Sequence, residues 1–208
     1  MDFSQLLENL LPMPGDSRQL ALELTRAYPN RSPAELVELA TKKARRRAAG
    51  TGVVSGLFGN PFAMLPAAAV DIYAVLKTEA SLAGVVAALM DPETLNDEDT
   101  FQTDIISILF PAVISNVLQP AGAHVGRHAS RLLIRRYVSG DVLRLVIKAA
   151  LKYLGIKLTQ RALITKAVPL FGIVIGGTWN WLEVRQLGRR ALRYHQGEDI
   201  DIPPDPTL

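Results

Sequence analysis

The stretch Lys166–Leu187, KAVPLFGIVIGGTWNWLEVRQL, is the one around which the rest of the chain is expected to pack, because its charge-free part from Ala167 to Leu182 is the most apolar segment of the second half of the chain. A membrane-spanning helix needs about 20 apolar residues, whereas runs of about 10 to 14 are more typical of buried core helices or re-entrant segments. Pro169 lacks a backbone donor, so a new helix is expected to begin there. Two alternatives stay open: a buried helix of an all-α domain, or a hairpin that dips into a membrane.

Small residues and flanking charges set the expected environment of this stretch. Gly172 and Gly176 have the GxxxG spacing that lets another helix approach closely. Lys166 precedes the apolar run, and Arg185 and Arg189 follow it. Positive charge on both flanks would place both ends on the cytoplasmic side of a membrane, which favours a dipping hairpin over a crossing.

Composition narrows the class of protein. The 208 residues are enough for one domain with a sizeable core, and 49% of them are hydrophobic. The chain has no cysteine, which excludes disulfides, thiol catalysis and thiolate metal sites. Met1–Leu11 lacks the basic and long apolar parts of a signal peptide. The formal net charge of +3 points to anionic partners, either lipid headgroups or nucleic acid.

The first half of the chain predicts a helical extension followed by a helical domain. Residues 1–31 contain one short helix candidate, Ser17–Ala27. Ser32 and Glu35 have capping-box spacing, so a helix is expected to begin at Pro33 and to end with basic residues before Gly50. A glycine- and proline-broken apolar block then leads, through a turn at Asn60-Pro61, into a long helix from about Leu65 to Met90.

The second half predicts further helices separated by short breaks. A solvated acidic loop is expected at Asp91, Glu93, Asp97, Glu98 and Asp99. The helix candidates that follow are Phe101–Leu118 with Pro111 inside, Arg127–Val138, Asp141–Leu154, Thr159–Ala167 and a last helix that continues to His195. The Asp141–Leu154 segment has a narrow polar stripe, which predicts a central core helix.

No segment alternates with the period of a β-strand, so the predicted fold is all-α. We expect a single compact helical domain over residues 32–197, with two Gly/Pro-interrupted apolar segments, Thr51–Val70 and Ala167–Leu182, packed centrally. Residues 198–208, GEDIDIPPDPTL without its first glycine, are acidic and proline-rich, which predicts a disordered tail.

Basic and aromatic residues beside the two apolar segments are the candidate membrane contacts. Basic clusters next to apolar segments are typical of proteins that bind an anionic membrane surface, and tryptophans collect at membrane interfaces. A solvated helix end and core packing explain the same residues equally well. The predicted membrane or lipid contacts are Lys42, Lys43, Arg45, Arg46, Arg47, Trp179, Trp181, Arg185 and Arg189.

A second set of residues is predicted to pack the apolar segments together. These residues are glycines and prolines that allow close approach or break a helix, with two polar side chains among them. The set is Gly52, Gly56, Pro66, Asp71, Pro169, Gly172, Gly176, Gly177 and Asn180. Asp71 is expected to be hydrogen-bonded or paired, because it is a carboxylate inside a long apolar context.

Motifs for catalysis, metals and nucleic acid are weak in this sequence. His124 and His128 have i, i+4 spacing, but Val125 stands where a HExxH motif needs glutamate. The acidic loop lacks the order and central glycine of a calcium loop. Arg127, Arg131 and Arg135 form a basic stripe, yet no nucleic-acid recognition pattern accompanies it. We therefore expect no catalytic residue, no metal, no cofactor and no nucleic-acid partner.

The C-terminal pattern resembles that of the EcsC protein family. The residues that carry the resemblance are Lys166, Pro169, Gly172, Gly176-Gly177, Asn180, Gly188, Ala191 and Tyr194, together with Leu65-Pro66 followed by Asp71. The resemblance covers roughly Ala34 to Gln196, without a match from Asp91 to Gly126. It implies a bacterial helical protein, named from the operon of an ABC transporter, and it supplies no catalytic residues.

Two functional hypotheses follow from the sequence. The first is a non-enzymatic helical protein, peripheral at the cytoplasmic face of the membrane, that binds anionic lipid or a membrane partner such as a transporter. The second is a soluble helical bundle that binds an apolar ligand or a partner helix, in a cavity lined by Leu65, Phe171, Ile173 and Val174. The sequence does not indicate an oligomeric state.

Overall fold

The computed structural model describes residues 9–55, 61–118, 128–129, 131–138, 141–150, 152 and 172–201, and within them the predicted all-α fold is confirmed. A pair of two-residue strands is the exception to helical structure in this part of the chain. The elements are α1 Pro14–Ala27, α2 Pro33–Ser55, α3 Pro61–Met90, a short 3-10 helix Pro92–Asn96, α4 Glu98–Leu109, α5 Pro111–Leu118, β1 His128–Ala129, α6 Arg131–Tyr137, α7 at residues 141–150, α8 Gly172–His195 and β2 Ile200–Asp201.

Helix α3 is the centre of the bundle. It contacts α1, α2, α4, α8 and the 3-10 helix. Its second half is lined on most sides by buried residues, and Ala80, Ala83 and Ala87 are fully buried. Small side chains at these positions let several helices approach the axis of α3. Because other helices surround it, α3 is apolar around most of its circumference.

Helices α2 and α8 form the most extensive helix pair in the described part of the chain. Their axes approach closely at Gly188, where an added Cβ would lie 2.4 Å from Thr41 Oγ1 and 2.7 Å from Thr41 Cγ2. About two turns before Gly188 in α8, Asn180 is fully buried and donates a hydrogen bond to the carbonyl of Ala48 at 3.3 Å. The interface between α2 and α8 therefore includes a close contact at a glycine and a buried polar contact.

The predicted capping box at the start of α2 is confirmed. The Ser32 amide donates to Glu35 Oε2 at 2.9 Å, and the Glu35 amide donates to Ser32 Oγ at 3.4 Å. The hydrogen bond from the Ser32 backbone, followed by the side chains of Arg31 and Ser32, lowers the pKa of Glu35. The N-terminus of α2 is therefore capped by the residues that the sequence indicates.

Several predicted helix boundaries are wrong in informative ways. Helix α2 does not end before Gly50 but continues to Ser55. Glu98 and Asp99 form the first turn of α4 rather than part of a loop, because acidic residues stabilise the positive end of a helix dipole. Phe110 separates α4 from α5, so the predicted helix 101–118 is broken before Pro111.

Two predictions about the segment from residue 127 to 154 also need correction. His128 and Ala129 form β1, so the helix in this region begins at Arg131 rather than at Arg127. Helix α7 is not a central core helix, because Leu145 is 56% exposed while Leu143 and Val146 are buried. The apolar residues of α7 lie on several sides of the helix, and those on the side of Leu145 face solvent.

The chain reverses direction after α8. Gly197 has a φ of 79°, and the Glu198 amide donates to the Arg193 carbonyl at 3.0 Å, which closes the helix end as glycine typically does. Ile200 and Asp201 then pair antiparallel with Ala129 and His128. The first residues of the predicted disordered tail, 198–201, are thus placed against the domain, and residues 202–208 lie outside the described residues.

Some predicted features fall outside the described residues altogether. They are the turn residue Asn60, Gly56, the helix 159–167, Pro169 and His124. The backbones of residues 61–72 and 172–177 are helical, but the surroundings of their side chains are not described. The cavity predicted around Leu65, Phe171, Ile173 and Val174 is therefore not tested, because Phe171 lies outside the described residues and the surroundings of the other three side chains are not described.

Candidate functional site

Basic residues near the middle of α2 lie on two sides of this helix, and on one of these sides they lie close to basic residues of α8. We call Lys42, Lys43, Arg45, Arg46 and Arg47 of α2, with Arg185 and Arg189 of α8, the basic band. Successive helix positions turn through about 100°, so the five cations of α2 fan out around the part of the helix that the core leaves free. Arg45 lies on the side of α8, and the other four lie on the side of α1 and α3.

Trp181 joins the two halves of the basic band. The Arg45 guanidinium lies 3.5 Å from the centre of the Trp181 ring, and the Arg185 guanidinium lies 5.9 Å from it. Both distances allow attraction between a cation and the face of an aromatic ring. Trp181 is half-buried between them, whereas the side chain of Trp179 is not described.

The positive charges of the basic band repel one another. Burial lowers the pKa of Arg45, and the charges of Arg185 and Arg189 lower it further. Across the described residues, no carboxylate lies within ion-pair distance of any of the seven cations. Like charges left together in this way favour the binding of an anion.

A groove of about 1030 Å³ opens between α1, α2 and α3. We call it the basic-rimmed groove, because its floor is mostly apolar and its rim carries Lys42, Lys43, Arg46, Arg47 and Lys77. Glu23 is the one carboxylate among the described residues that line it. Four cations of the basic band therefore also border a cavity.

A buried ionic cluster lies on the other side of the bundle, around Asp104. We call it the Asp104 cluster. Asp104 is fully buried and accepts hydrogen bonds from Arg131 Nη2 at 3.0 Å, Arg135 Nε at 3.0 Å and Tyr194 Oη at 2.8 Å. Arg131 also contacts Asp91. The cluster joins α4, α6 and α8 to the turn after α3.

The Asp104 cluster overturns two interpretations of the sequence. Arg131 and Arg135 do not belong to an exposed basic stripe, because both guanidiniums turn inward to carboxylates. Asp91 is not part of a solvated loop: its side chain is 26% exposed and pairs with both arginines. Burial opposes ionisation of Asp91, but hydrogen bonds from Thr94 and Arg131 outweigh it and lower its pKa.

Burial in the Asp104 cluster also shifts the neighbouring groups. Burial and then Asp104 raise the pKa of Tyr194 well above its usual range, so its hydroxyl remains a donor. Burial would lower the pKa of Arg135, but the hydrogen bond to Asp104 raises it. Burial, and next the charge of Arg131, lower the pKa of His195 to about 4, and neither ring nitrogen has a hydrogen-bond partner in the described structure.

The predicted packing set is only partly visible. Asn180 packs as expected, through its bond to Ala48. Gly52, Pro66, Asp71, Gly172, Gly176 and Gly177 lie within helices, but their surroundings are not described, and Gly56 and Pro169 lie outside the described residues. The close helix approach that the structure does show is at Gly188.

Metal and membrane signals in the described structure are limited. Among the residues described, no group of three or more His, Asp or Glu side chains could hold a metal ion. One helix is long and apolar enough to cross a membrane, over Tyr73–Met90 of α3, and 61% of this window is buried inside the domain. A buried core helix can be equally long and apolar, and α3 lies at the centre of the described bundle.

Comparison of the chain with protein-family models, curated proteins and solved structures finds no match. The resemblance to the EcsC family therefore stays a prediction. What the chain does has to be inferred from its own charges, cavities and contacts.

Sequence reasoning missed one wall of the basic-rimmed groove. Leu20 and Leu24 of α1 and Lys77 of α3 line it together with the predicted cations of α2. The helical spacing of Leu20 and Leu24 was visible as a signal, but it cannot tell which neighbour an apolar face meets. Lys77 gives no signal at all, because a single lysine in a long helix is ordinary.

Proposed function

We propose that this chain is a non-enzymatic protein that binds an anionic membrane surface at the cytoplasmic face through the basic band. One observation carries the proposal: six successive positions of α2 carry five cations, α8 adds two more beside Arg45, and none of the seven is ion-paired among the described residues. Surface cations are ordinarily interspersed with acidic residues, so an unneutralised band favours an anionic partner.

The physical basis is electrostatic attraction to lipid headgroups. Each Lys or Arg close to an anionic membrane surface contributes about 1 kcal/mol to binding at physiological salt, and the contribution falls with ionic strength. Lys42, Lys43, Arg46 and Arg47 are exposed, so they are free to contact headgroups. Arg45 is held on Trp181, beside Arg185 of α8.

Vesicle flotation tests this proposal. The wild-type protein should float with vesicles that contain anionic phospholipid, should remain unbound with neutral vesicles, and should be released by high salt. Replacing Lys42, Lys43, Arg46 and Arg47 together by glutamine should weaken binding by about 4 kcal/mol, which is about a thousandfold. Arg45 is left in place because it packs against Trp181.

The chain offers a matched control for the four-residue variant. Arg136, Arg144, Lys148 and Lys152 are four exposed cations outside the basic band, on α6 and the segment around α7. Their replacement by glutamine changes the net charge by the same amount and should leave flotation nearly unchanged. Equal loss in both variants would mean that net charge alone drives binding, and retention in both would reject the role of the basic band.

A membrane protein with an acidic cytoplasmic segment, such as a transporter subunit, is the second partner that the basic band would fit. Its surface chemistry is the same as that of an anionic headgroup layer, namely clustered negative charge. Binding to membranes rich in such a protein, without binding to protein-free anionic vesicles, would favour this partner over lipid.

A further inference from the structure

We infer that the basic-rimmed groove binds one long-chain fatty acid, with its hydrocarbon chain along the apolar floor and its carboxylate at the cations of the rim. The inference goes beyond the proposed membrane binding, because it concerns a single molecule held in a cavity rather than a surface contact. The two proposals share Lys42, Lys43, Arg46 and Arg47, and the experiment below separates them.

The groove exists because α1 and α2 both pack on α3 but scarcely touch each other. The apolar faces of α1 and α2 are therefore left partly uncovered above α3. Leu20 is 36% exposed and Tyr28 is 46% exposed, although both line the cavity. Large apolar side chains at the mouth of a cavity indicate a surface that a ligand covers.

The floor of the groove is suited to a hydrocarbon chain. Leu24, Leu39, Leu82 and Val85 line it from all three helices. Thr78 also faces the groove, but its hydroxyl donates to the Ala74 carbonyl at 2.8 Å within the same helix. Because that hydrogen bond satisfies the hydroxyl, Thr78 does not require a polar partner from a ligand.

The rim is suited to an anionic head. Among the described residues, five cations border the groove, and they come from two of its three helices: Lys42, Lys43, Arg46 and Arg47 from α2 and Lys77 from α3. The opposing carboxylate, Glu23, accepts a hydrogen bond from Gln19 at 3.2 Å and makes no ion pair with a described cation. The excess positive charge is thus available to a carboxylate from outside the chain.

Charge and size together select the occupant. A ligand for this cavity needs a long apolar part and a negative end, which is the chemistry of a fatty acid. The volume of about 1030 Å³ lies at the upper end of the range for small-molecule pockets, about 300–1,000 Å³, so the groove has room for a long chain. An acidic amphipathic helix from a partner or a second copy of this chain are the other occupants to be tested.

Fluorescence titration with cis-parinaric acid, an 18-carbon fatty acid, tests the inference. Wild-type protein should bind one equivalent, oleate should displace it, and the methyl ester should bind at least tenfold more weakly because it lacks the charge. An equally tight methyl ester would overturn the role of the rim. If lysophosphatidate displaced parinarate at a much lower concentration than oleate does, the proposal that the rim binds a carboxylate would be overturned.

Variants of the floor locate the bound chain. Ser81→Phe places an aromatic ring in the groove and should weaken parinarate binding at least tenfold, whereas Ser81→Ala keeps the space and should bind as wild type does. Lys77→Gln should weaken binding about threefold, and the exposed control Lys148→Gln should not change it. Unchanged binding in Ser81→Phe would place the ligand elsewhere and overturn the inference.

The same floor variant separates this inference from the proposed membrane binding. Ser81→Phe retains all seven cations of the basic band, so it should still float with anionic vesicles while it loses the fatty acid. Should Ser81→Phe not give a thermal transition like that of wild type, Ala74→Leu fills the same groove and replaces it in the test. A concentration-dependent dimer that Ser81→Phe dissociates and oleate does not would assign the groove to a second copy.

Discussion

Among single residues, Asp104 connects three helices through its hydrogen bonds to Arg131, Arg135 and Tyr194, although no motif in the sequence indicates this role. Its side chain is fully buried, and it faces guanidiniums that are only 13% and 29% exposed on Arg131 and Arg135. A buried ion pair contributes little net stability when complete, but removing one partner leaves the other charge buried and unpaired.

Replacing Asp104 by asparagine should therefore destabilise the fold strongly. The change keeps the size of the side chain but removes the charge that balances Arg131 and Arg135. We expect a loss of about 3–5 kcal/mol in the free energy of unfolding, measured by chemical denaturation. Asp141→Asn is the matched control, because its pair with Arg144 is exposed at 91% and 76% and should contribute less than about 1 kcal/mol. Similar losses in the two variants would contradict this account of the cluster.

His195 should make the fold sensitive to mild acid. Its pKa is lowered from 6.5 to about 4 in the folded state, while in the unfolded chain it keeps its ordinary value. Between these two pKa values the unfolded state binds more protons, so stability is highest above pH 6.5 and falls as the pH decreases towards 4. The shift corresponds to a loss of about 3 kcal/mol across this interval.

The variant His195→Phe should flatten this dependence, because it removes the titrating group and keeps an aromatic ring beside Tyr194. Denaturation at pH 7.0 and pH 4.5 measures the difference in each protein. A slope that stays the same in the variant would assign the acid sensitivity to other groups.

At the scale of elements, the contact of α2 with α8 depends on Gly188. An added Cβ would meet three atoms of Thr41, including its own Cβ at 3.1 Å, so rotation of the threonine side chain cannot relieve all of the overlap. Thr41 is also fixed by a hydrogen bond from its hydroxyl to the Val37 carbonyl at 2.8 Å. The two helices would have to move apart.

Gly188→Ala should therefore destabilise the fold by about 1–3 kcal/mol, as overpacking does. Gly50→Ala in α2 is the matched control: nothing lies within 4 Å of its added Cβ, and alanine should stabilise the helix by up to about 1 kcal/mol. Thermal and chemical denaturation of both variants checks the sign. If Gly188→Ala proved as harmless as Gly50→Ala, the close approach of the helices would be wrong.

Sequence patterns predict local signals well and distant neighbours poorly. The capping box of Ser32 and Glu35 was readable because its partners are three residues apart. The inward turn of Arg131 and Arg135 was not, since their partner Asp104 is 27 and 31 residues away. A charge pattern indicates a polar face, but only the packing of other helices decides whether that face meets water or a carboxylate.

At the level of the whole molecule, the described part of the bundle is organised around α3. Helix α3 contacts most of its neighbours, whereas α1 packs on α3 and the 3-10 helix and leaves the groove open beside α2. Local stability should follow this difference, because few contacts allow a segment to open without global unfolding.

Amide hydrogen exchange should show this hierarchy. We expect the slowest exchange in the second half of α3, around Ala83 and Val86, and faster exchange in α1. Mass spectrometry of peptic peptides measures both helices in one experiment. Protection of α1 as strong as that of α3 would contradict the arrangement.

The candidate sites were predicted in part. The basic residues of α2 and α8 were identified from sequence as two clusters, and the structure adds that Trp181 lies between Arg45 and Arg185. The position of the groove was not predicted, because a cavity depends on how neighbouring helices pack, and the residue pattern of a single helix does not specify that packing. The expected cavity near Phe171 rests on residues whose surroundings are not described.

The long separations of the contacts made by α8 have a consequence for synthesis of the chain. Asn180 bonds to Ala48, 132 residues earlier, and Tyr194 bonds to Asp104, 90 residues earlier. A nascent chain on the ribosome therefore exposes the apolar flank of α2 until α8 has emerged. Exposed apolar surface favours aggregation, so we expect chains truncated before α8 to form aggregates rather than a smaller folded domain.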